Sequence, residues 1–254
     1  MTEQLGAWAL DSVNCIDALE LLRGLPDASV DAIITDLPYG TTACSWDEII
    51  PFEPMWAGVK RVLKPRGVFV TTASQPFTSK LIMSNLEQFR YEWVWEKSMA
   101  TGFLNTPHMP LRAHENIVIF GGSIYYPQFS IGQPYTATTG TQERGTIRDK
   151  RISGVIRHNT GYRHPRSVFR FQNQIGLHPT QKPVALYEYL INTYTQPGEL
   201  VVDFCCGSGT TAVAARNLSR RYIVGDLSEE YCTIARERLD EPYTLNMFEQ
   251  TGHD

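Results

Sequence analysis

Short apolar runs of strand length alternate with amphipathic stretches along both ends of this chain, and its middle loses that rhythm. Ile16 to Leu22 reads as a short amphipathic helix, Leu25-Pro26-Asp27 as a turn, and Val30 to Thr35 as a buried strand ending at Asp36. A helix over about 53–63 is closed by Lys64-Pro65-Arg66-Gly67, and Val68 to Thr72 forms the next strand. Phe77 to Leu86 reads as helix, and Tyr91 to Trp95 and Asn116 to Phe120 as strands. From Gly121-Gly122 to about Leu177 the chain turns rich in Gly, Thr, Tyr, Arg and Pro without sustained periodicity. Regular alternation then resumes with a helix from Pro183 to about Tyr194 and a strand at Leu200 to Asp203. A helix at Thr210 to Asn217, a strand at Arg221 to Asp226 and a helix at Glu229 to Leu239 follow. This β-α-β rhythm predicts an α/β fold with a doubly wound, mostly parallel sheet. We expect one domain over 1–254 with an inserted segment at 121–177.

Composition narrows the class. Hydrophobic residues make up 42% and charged residues 20% of the 254 positions, which argues against wholesale disorder and for one sizeable core. Met1 to Leu10 shows no basic stretch followed by an apolar one, so no signal peptide is expected. No apolar run approaches the roughly 18 residues of a membrane span, so no membrane partner is expected. The five cysteines are odd in number, two are adjacent, and none has zinc spacing. Neither a disulfide framework nor a metal site is expected, and a reduced cytoplasm, of a prokaryotic cell or a phage-infected host, fits best.

The net charge of −4 hides a strong asymmetry. Gln142 to Arg170 holds eight basic residues (Arg144, Arg148, Lys150, Arg151, Arg157, Arg163, Arg166 and Arg170) against Glu143 and Asp149, leaving the rest of the chain at −10. Seven of the eight are Arg, which makes bidentate contacts to phosphate and guanine. A basic island on an acidic body, interleaved with aromatic residues, suits a local nucleic-acid contact.

Two strings carry candidate chemistry. In Asp203-Phe204-Cys205-Cys206-Gly207-Ser208-Gly209-Thr210-Thr211 a glycine turn joins a strand to a helix, letting backbone approach a ligand closely. Asp226 ends the next strand, where dinucleotide folds hold a ribose diol. Gly207-x-Gly209-x-x-Ala212 also satisfies the dinucleotide fingerprint, so a nicotinamide dehydrogenase is an alternative. Asp203 tilts the choice, because a carboxylate there would repel a pyrophosphate but meet the ammonium of S-adenosyl-L-methionine. The second string, Asp36-Leu37-Pro38-Tyr39, lies just past the carboxyl end of a strand, where open α/β sheets keep their ligands. An aryl amine is a poor nucleophile, since its lone pair is delocalised into the ring. The Asp36 carboxylate and the Leu37 carbonyl would accept its hydrogens and localise that pair. Pro38 would stiffen the backbone, and Tyr39 would stack on the base.

These strings resemble those of the S-adenosylmethionine-dependent DNA amino-methyltransferases, whose Asp-Pro-Pro-Tyr box matches Asp36 to Tyr39 and whose glycine-loop box matches Asp203 to Thr211. The amine box precedes the glycine loop, as in the permuted β group, where a target-recognition segment lies between the halves. The likeness runs from about Val13 to Leu239 and implies a Rossmann-like methyltransferase fold. It implies that Gly207, Ser208, Gly209 and Thr210 cradle the cofactor, that Asp17 faces its adenine, and that Asp226 holds its ribose. His178-Pro179-Thr180-Gln181-Lys182-Pro183 matches a family string beside the cofactor, placing His178, Thr180 and Lys182 there, with Lys182 serving an anion such as the cofactor carboxylate. Leu37 replaces the family's first proline, and Phe204-Cys205 its usual Pro-Phe. The implied reaction is methylation of adenine N6, in a base flipped out of duplex DNA. Adenine is preferred because the box begins with Asp; N4-cytosine methylation and a catalytically silent DNA-binding relative are the alternatives. A homodimer and a cognate restriction endonuclease are further partners open to such a protein.

Overall fold

The structure, a computed structural model, describes residues 3–41, 47–138, 156–174 and 181–241. A small hairpin of β1 (Gln4–Leu5) and β2 (Trp8–Ala9) leads into β3 (Ser12–Cys15), α1 (Ala18–Gly24) and β4 (Val30–Asp36). Then come α2 (Phe52–Val62), β5 (Leu63–Ala73), α3 (Phe77–Ser84), β6 (Phe89–Thr101) and β7 (Arg112–Gly121). Four short strands follow, β8 (Ser130–Ile131), β9 (Tyr135–Thr138), β10 (Ile156–Asn159) and β11 (Tyr162–Arg163). The chain closes with β12 (Val168–Phe171), α4 (Val184–Tyr194), β13 (Leu200–Asp203), α5 (Thr210–Asn217), β14 (Arg221–Asp226) and α6 (Glu229–Asp240).

Eight strands form one sheet in the order β12-β6-β7-β5-β4-β13-β14-β3. Of these only β7 is reversed, pairing antiparallel with both β5 and β6. The expected α/β fold with a mostly parallel sheet is what the chain adopts. The apolar strands are two-sided, as a parallel sheet covered on both faces requires. Ala32, Ile34, Val68, Val70, Ile117 and Ile119 face a core shared with α4 and α5. Ile33, Phe69, Val118 and Phe120 face the opposite core, shared with α1, α2 and α3. Strand β13, which ends at Asp203, and strand β4, which ends at Asp36, lie in the middle of the sheet, side by side. Asp36 and Asp203 therefore end adjacent parallel strands at the same edge.

Several boundaries differ from the sequence reading for identifiable reasons. Helix α1 begins at Ala18, not Ile16, because Asp17 caps it: its carboxylate accepts the amides of Leu19 at 2.9 Å and Glu20 at 3.2 Å. Lys64-Pro65-Arg66-Gly67 is extended, not a turn, and a register irregularity opposite Val30–Ala32 accommodates it in β5. Strand β6 runs far beyond Trp95, with mostly exposed or half-buried residues that leave no apolar signature. Val168 to Phe171, within the stretch expected to be irregular, is an edge strand parallel to β6.

The chain divides into two compact units, Met1–Tyr126 with Ser167–Asp254, and Pro127–Arg166. Within the smaller unit β8 pairs with β11 and β9 with β10, both antiparallel. Its aromatic residues make their own cluster: Phe129 meets the rings of Tyr162 at 6.1 Å and His164 at 4.8 Å. No helix among the described residues is long and apolar enough to cross a membrane.

Phe69 is 1% exposed and touches the rings of Trp56 (5.1 Å), Phe120 (6.0 Å) and Phe204 (6.4 Å). Its replacement by Ala is expected to lower unfolding stability by about 3–5 kcal/mol, the usual cost of emptying a buried aromatic site. Urea denaturation of the wild type and of Phe69→Ala measures the difference.

Candidate active site

Parallel pairing with β5 sets Asp36 opposite Thr72. Thr72, 1% exposed, donates its hydroxyl to Asp36 Oδ1. The Tyr39 hydroxyl donates to the same oxygen at 2.8 Å, and Lys182 Nζ donates to Oδ2 at 2.6 Å. The Tyr39 ring stacks on Phe77, with centroids 5.2 Å apart and planes at 28°. Burial pushes the Tyr39 phenol well above its ordinary value, with the charges of Asp36 and Glu115 adding to it, so the hydroxyl stays a donor. Leu37, at the position of the family's first proline, buries its side chain in the same core as Met55 and Phe77. The turn after Tyr39 is tied by Asp47, whose carboxylate accepts the amides of Tyr39 (2.7 Å), Gly40 (2.9 Å) and Thr41 (2.8 Å).

Asp203 is 2% exposed. Its Oδ1 accepts the Thr35 hydroxyl at 2.6 Å and the Cys205 amide at 3.0 Å, and its Oδ2 accepts the Thr211 hydroxyl. Those donors favour the carboxylate, but burial outweighs them and raises its pKa to about 7. Downstream, Gly209 caps α5 with φ +79, and an added Cβ would lie 2.6 Å from Ala235 Cβ, so only glycine fits. Asp226 accepts the amide of Gly207 at 2.9 Å and that of Ser228 at 3.0 Å. It thereby fixes the glycine turn against the end of β14. The Cys205 and Cys206 thiols are pushed well above their ordinary value by burial and by the carboxylates of Asp203 and Asp226, so neither is a nucleophile.

A protein-family model described as DNA methylase (N6_N4_Mtase) matches residues 30–237, from β4 through α6. The chain belongs to this family of DNA amino-methyltransferases.

The methylase is 29% identical over 248 residues to the type II methyltransferase M.HpaI of Haemophilus parainfluenzae, covering 90% of this chain and 74% of that one. It is 26% identical to the type II methyltransferase M1.MboII of Moraxella bovis, covering 91% and 96%. Among solved structures, the S-adenosylmethionine complex of M1.HpyAVI aligns with a TM-score of 0.59 at 22% identity, over 91% of this chain and 99% of that one. PvuII DNA methyltransferase, described as cytosine-N4-specific, aligns with a TM-score of 0.63 at 18% identity, over 99% and 93%. Both share the fold. As a member of the DNA amino-methyltransferase family the methylase uses S-adenosyl-L-methionine, and its own residues suit that cofactor. Asp203 is a buried carboxylate with no ion pair among the described residues, which is the partner an ammonium group calls for.

The structure brings Asp36, Leu37, Tyr39, Lys182 and Asp203 to one edge of the sheet. Asp17 sits at the start of α1 and is engaged as its cap. Lys182 lies on the amine-box carboxylate, so any cofactor anion must share its ammonium with Asp36. His178 and Thr180 lie outside the described residues, as do Arg144, Arg148, Lys150 and Arg151. In the smaller unit Arg157 is exposed, as is Arg166. Arg163 is engaged within that unit: its guanidinium lies 4.7 Å from the Tyr135 ring centre and donates to the Gln133 carbonyl and the Asn159 side chain. Sequence reasoning missed Thr35, Thr72 and Thr211, which satisfy the two acids. Their signal was hydroxyl residues at buried strand and helix positions, legible only once strand register is known.

Because Asp203 binds its proton more tightly folded than unfolded, it contributes stability below its ordinary pKa and loses it as pH rises through about 7. The cofactor-free protein is expected to lose stability between about pH 4 and pH 7, at up to roughly 1.4 kcal/mol per pH unit. Asp203→Asn should flatten that slope. Urea midpoints for both proteins across this range check it, and parallel curves would refute it.

Proposed function

We propose that this chain methylates the exocyclic N6 amine of adenine in a base flipped out of duplex DNA. The observation that carries the reading is the acceptor geometry of Asp36. Its Oδ1 accepts from Tyr39 and Thr72, and among the described residues its Oδ2 accepts only from Lys182. A carboxylate offers about four lone-pair sites, so Oδ2 retains capacity for one amine hydrogen. The Leu37 carbonyl is the second acceptor, aimed by Pro38 and anchored by the buried Leu37 side chain. Two acceptors on its hydrogens pull the amine's lone pair out of conjugation. Tyr39, backed by Phe77, offers its ring to the base, a stacking contact of about 1–3 kcal/mol. S-adenosyl-L-methionine, when bound, supplies the electrophilic methyl group. The protein's work is to hold the amine in line and to keep water away, which is rate enhancement by positioning.

Adenine is favoured over cytosine by the Asp that opens the box. A carboxylate in that place goes with adenine in the family the sequence resembles, where cytosine enzymes more often carry Ser. Contact with DNA is assigned to the segment 121–177 and to Arg144, Arg148, Lys150, Arg151, Arg157, Arg163 and Arg166. The exposure of Arg157 and Arg166 supports this, together with the exposed rings of Tyr135 and Tyr162. The type II relatives support a cognate endonuclease as functional partner.

The test is methyl transfer from labelled S-adenosylmethionine to a long unmethylated duplex of mixed sequence, read by nucleoside mass spectrometry. N6-methyladenine is expected from the wild type, with a loss of about 10²- to 10³-fold in Asp36→Ala, the scale of removing one preorganised hydrogen-bonding group. N4-methylcytosine would move the assignment to the other base. Replacing Arg148, Lys150 and Arg151 together by Gln is expected to reduce the salt slope of DNA binding by about three units, one per phosphate contact. An unchanged slope in a filter-binding titration would remove the segment from the DNA interface.

A further inference from the structure

Glu115 belongs to a buried row of alternating charges that runs out to the amine box. Glu115 stands on reversed strand β7 and is 9% exposed. Its Oε1 pairs with Lys97 Nζ, and its Oε2, which makes no hydrogen bond among the described residues, lies 3.5 Å from Lys182 Nζ. Lys182 in turn meets Asp36 Oδ2 at 2.6 Å. The side chains of Lys97, Glu115 and Lys182 are only 12%, 11% and 8% exposed, so water screens them little. Burial alone would raise the Glu115 carboxyl, but Lys182 and Lys97 outweigh it and hold it below its ordinary range. Burial alone would depress Lys182, but Asp36 and Glu115 outweigh that and keep it above. Glu115 and Lys182 are thus held charged, and the row sets two bases, Lys97 and Lys182, against two acids, Glu115 and Asp36.

We propose that Glu115 is a positioning residue for methyl transfer: it balances Lys182, so that the cation bonded to Asp36 neither opposes charge on the amine nor closes over the whole carboxylate. The inference rests on the amine-methylation reading above. In that step the N–C bond forms as the S–C bond breaks, sulfur keeps the bonding pair, and the amine becomes cationic until one of its protons passes to water. A lysine beside the amine hinders that development unless its charge is offset. With glutamine at position 115, Lys97 and Lys182 leave the row one positive charge in excess. Charge that leaves one atom as it reaches another is felt only through the difference in distance, so the effect is a fraction of a full Coulomb term.

The experiment is single-turnover methyl transfer to the same mixed-sequence duplex, which separates chemistry from product release. Glu115→Gln is expected to slow the step roughly five- to thirtyfold at an effective dielectric constant near 20, with the cofactor dissociation constant changed less than about twofold. Removing the surplus cation as well, in Glu115→Gln/Lys97→Met, is expected to restore the rate to within about threefold of wild type. A bridge that merely braces the fold would instead give a lower melting temperature, an unchanged rate in the single variant, and no recovery in the double. That result overturns the proposal. Should the single variant not fold, the double carries the test, and a rate below a tenth of wild type in the folded double overturns it too. A wild type that methylates no DNA amine would overturn the amine reading itself, and this inference with it.

Discussion

The ion pair between Lys182 and Asp36 joins positions 146 residues apart, and the order of the site depends on it. Asp36 closes a strand in the N-terminal half, while Lys182 precedes the helix that leads into the cofactor strand. The two halves are stitched again one step along the sheet, where Thr35 donates to Asp203 at 2.6 Å and the Thr211 hydroxyl lies 3.4 Å from the Ile34 carbonyl. Each bond crosses between β4 and the elements around β13. A buried charge left single would cost several kcal/mol, so these long-range partners are conditions for the fold as well as for the site. That coupling explains how an amine box and a glycine loop so far apart in sequence finish on adjacent strands.

How much of this was legible in the sequence follows from what each signal measures. Val30 to Asp36 and Leu200 to Asp203 were readable because both faces of a central parallel strand are apolar, leaving a continuous run with an acid at its end. Asp36, Tyr39 and Asp203 were singled out because the chemistry of an amine and of a cationic cofactor constrains residue types locally, and the two acids do end adjacent strands. Strand β12 was not, since a four-residue edge strand alternates exposed and half-buried positions inside a Gly- and Arg-rich segment. Nor was Glu115. A buried Glu after a His on a strand looks like any satisfied core acid until register sets it between Lys97 and Lys182. Thr35 and Thr72 likewise gain meaning only from strand pairing, which no local pattern encodes.

The methylase keeps two carboxylates a strand apart and treats them in opposite ways. Asp36 is partly open and already matched with a cation, and every hydrogen bond it makes among the described residues is one it accepts. Asp203 is closed off, with hydroxyl and amide donors but no ion pair among the described residues, and its proton affinity rises accordingly. Environment alone separates their roles, since the side chains are identical. A site that must gather a cationic methyl donor and a neutral amine gains from this split. On the proposed reading the unmatched acid attracts the positive reactant, while the matched one adds no net charge beside the neutral one. In the proposed mechanism Lys182 and Glu115 then serve one end, which is to keep the amine's surroundings electrically even until the methyl group arrives.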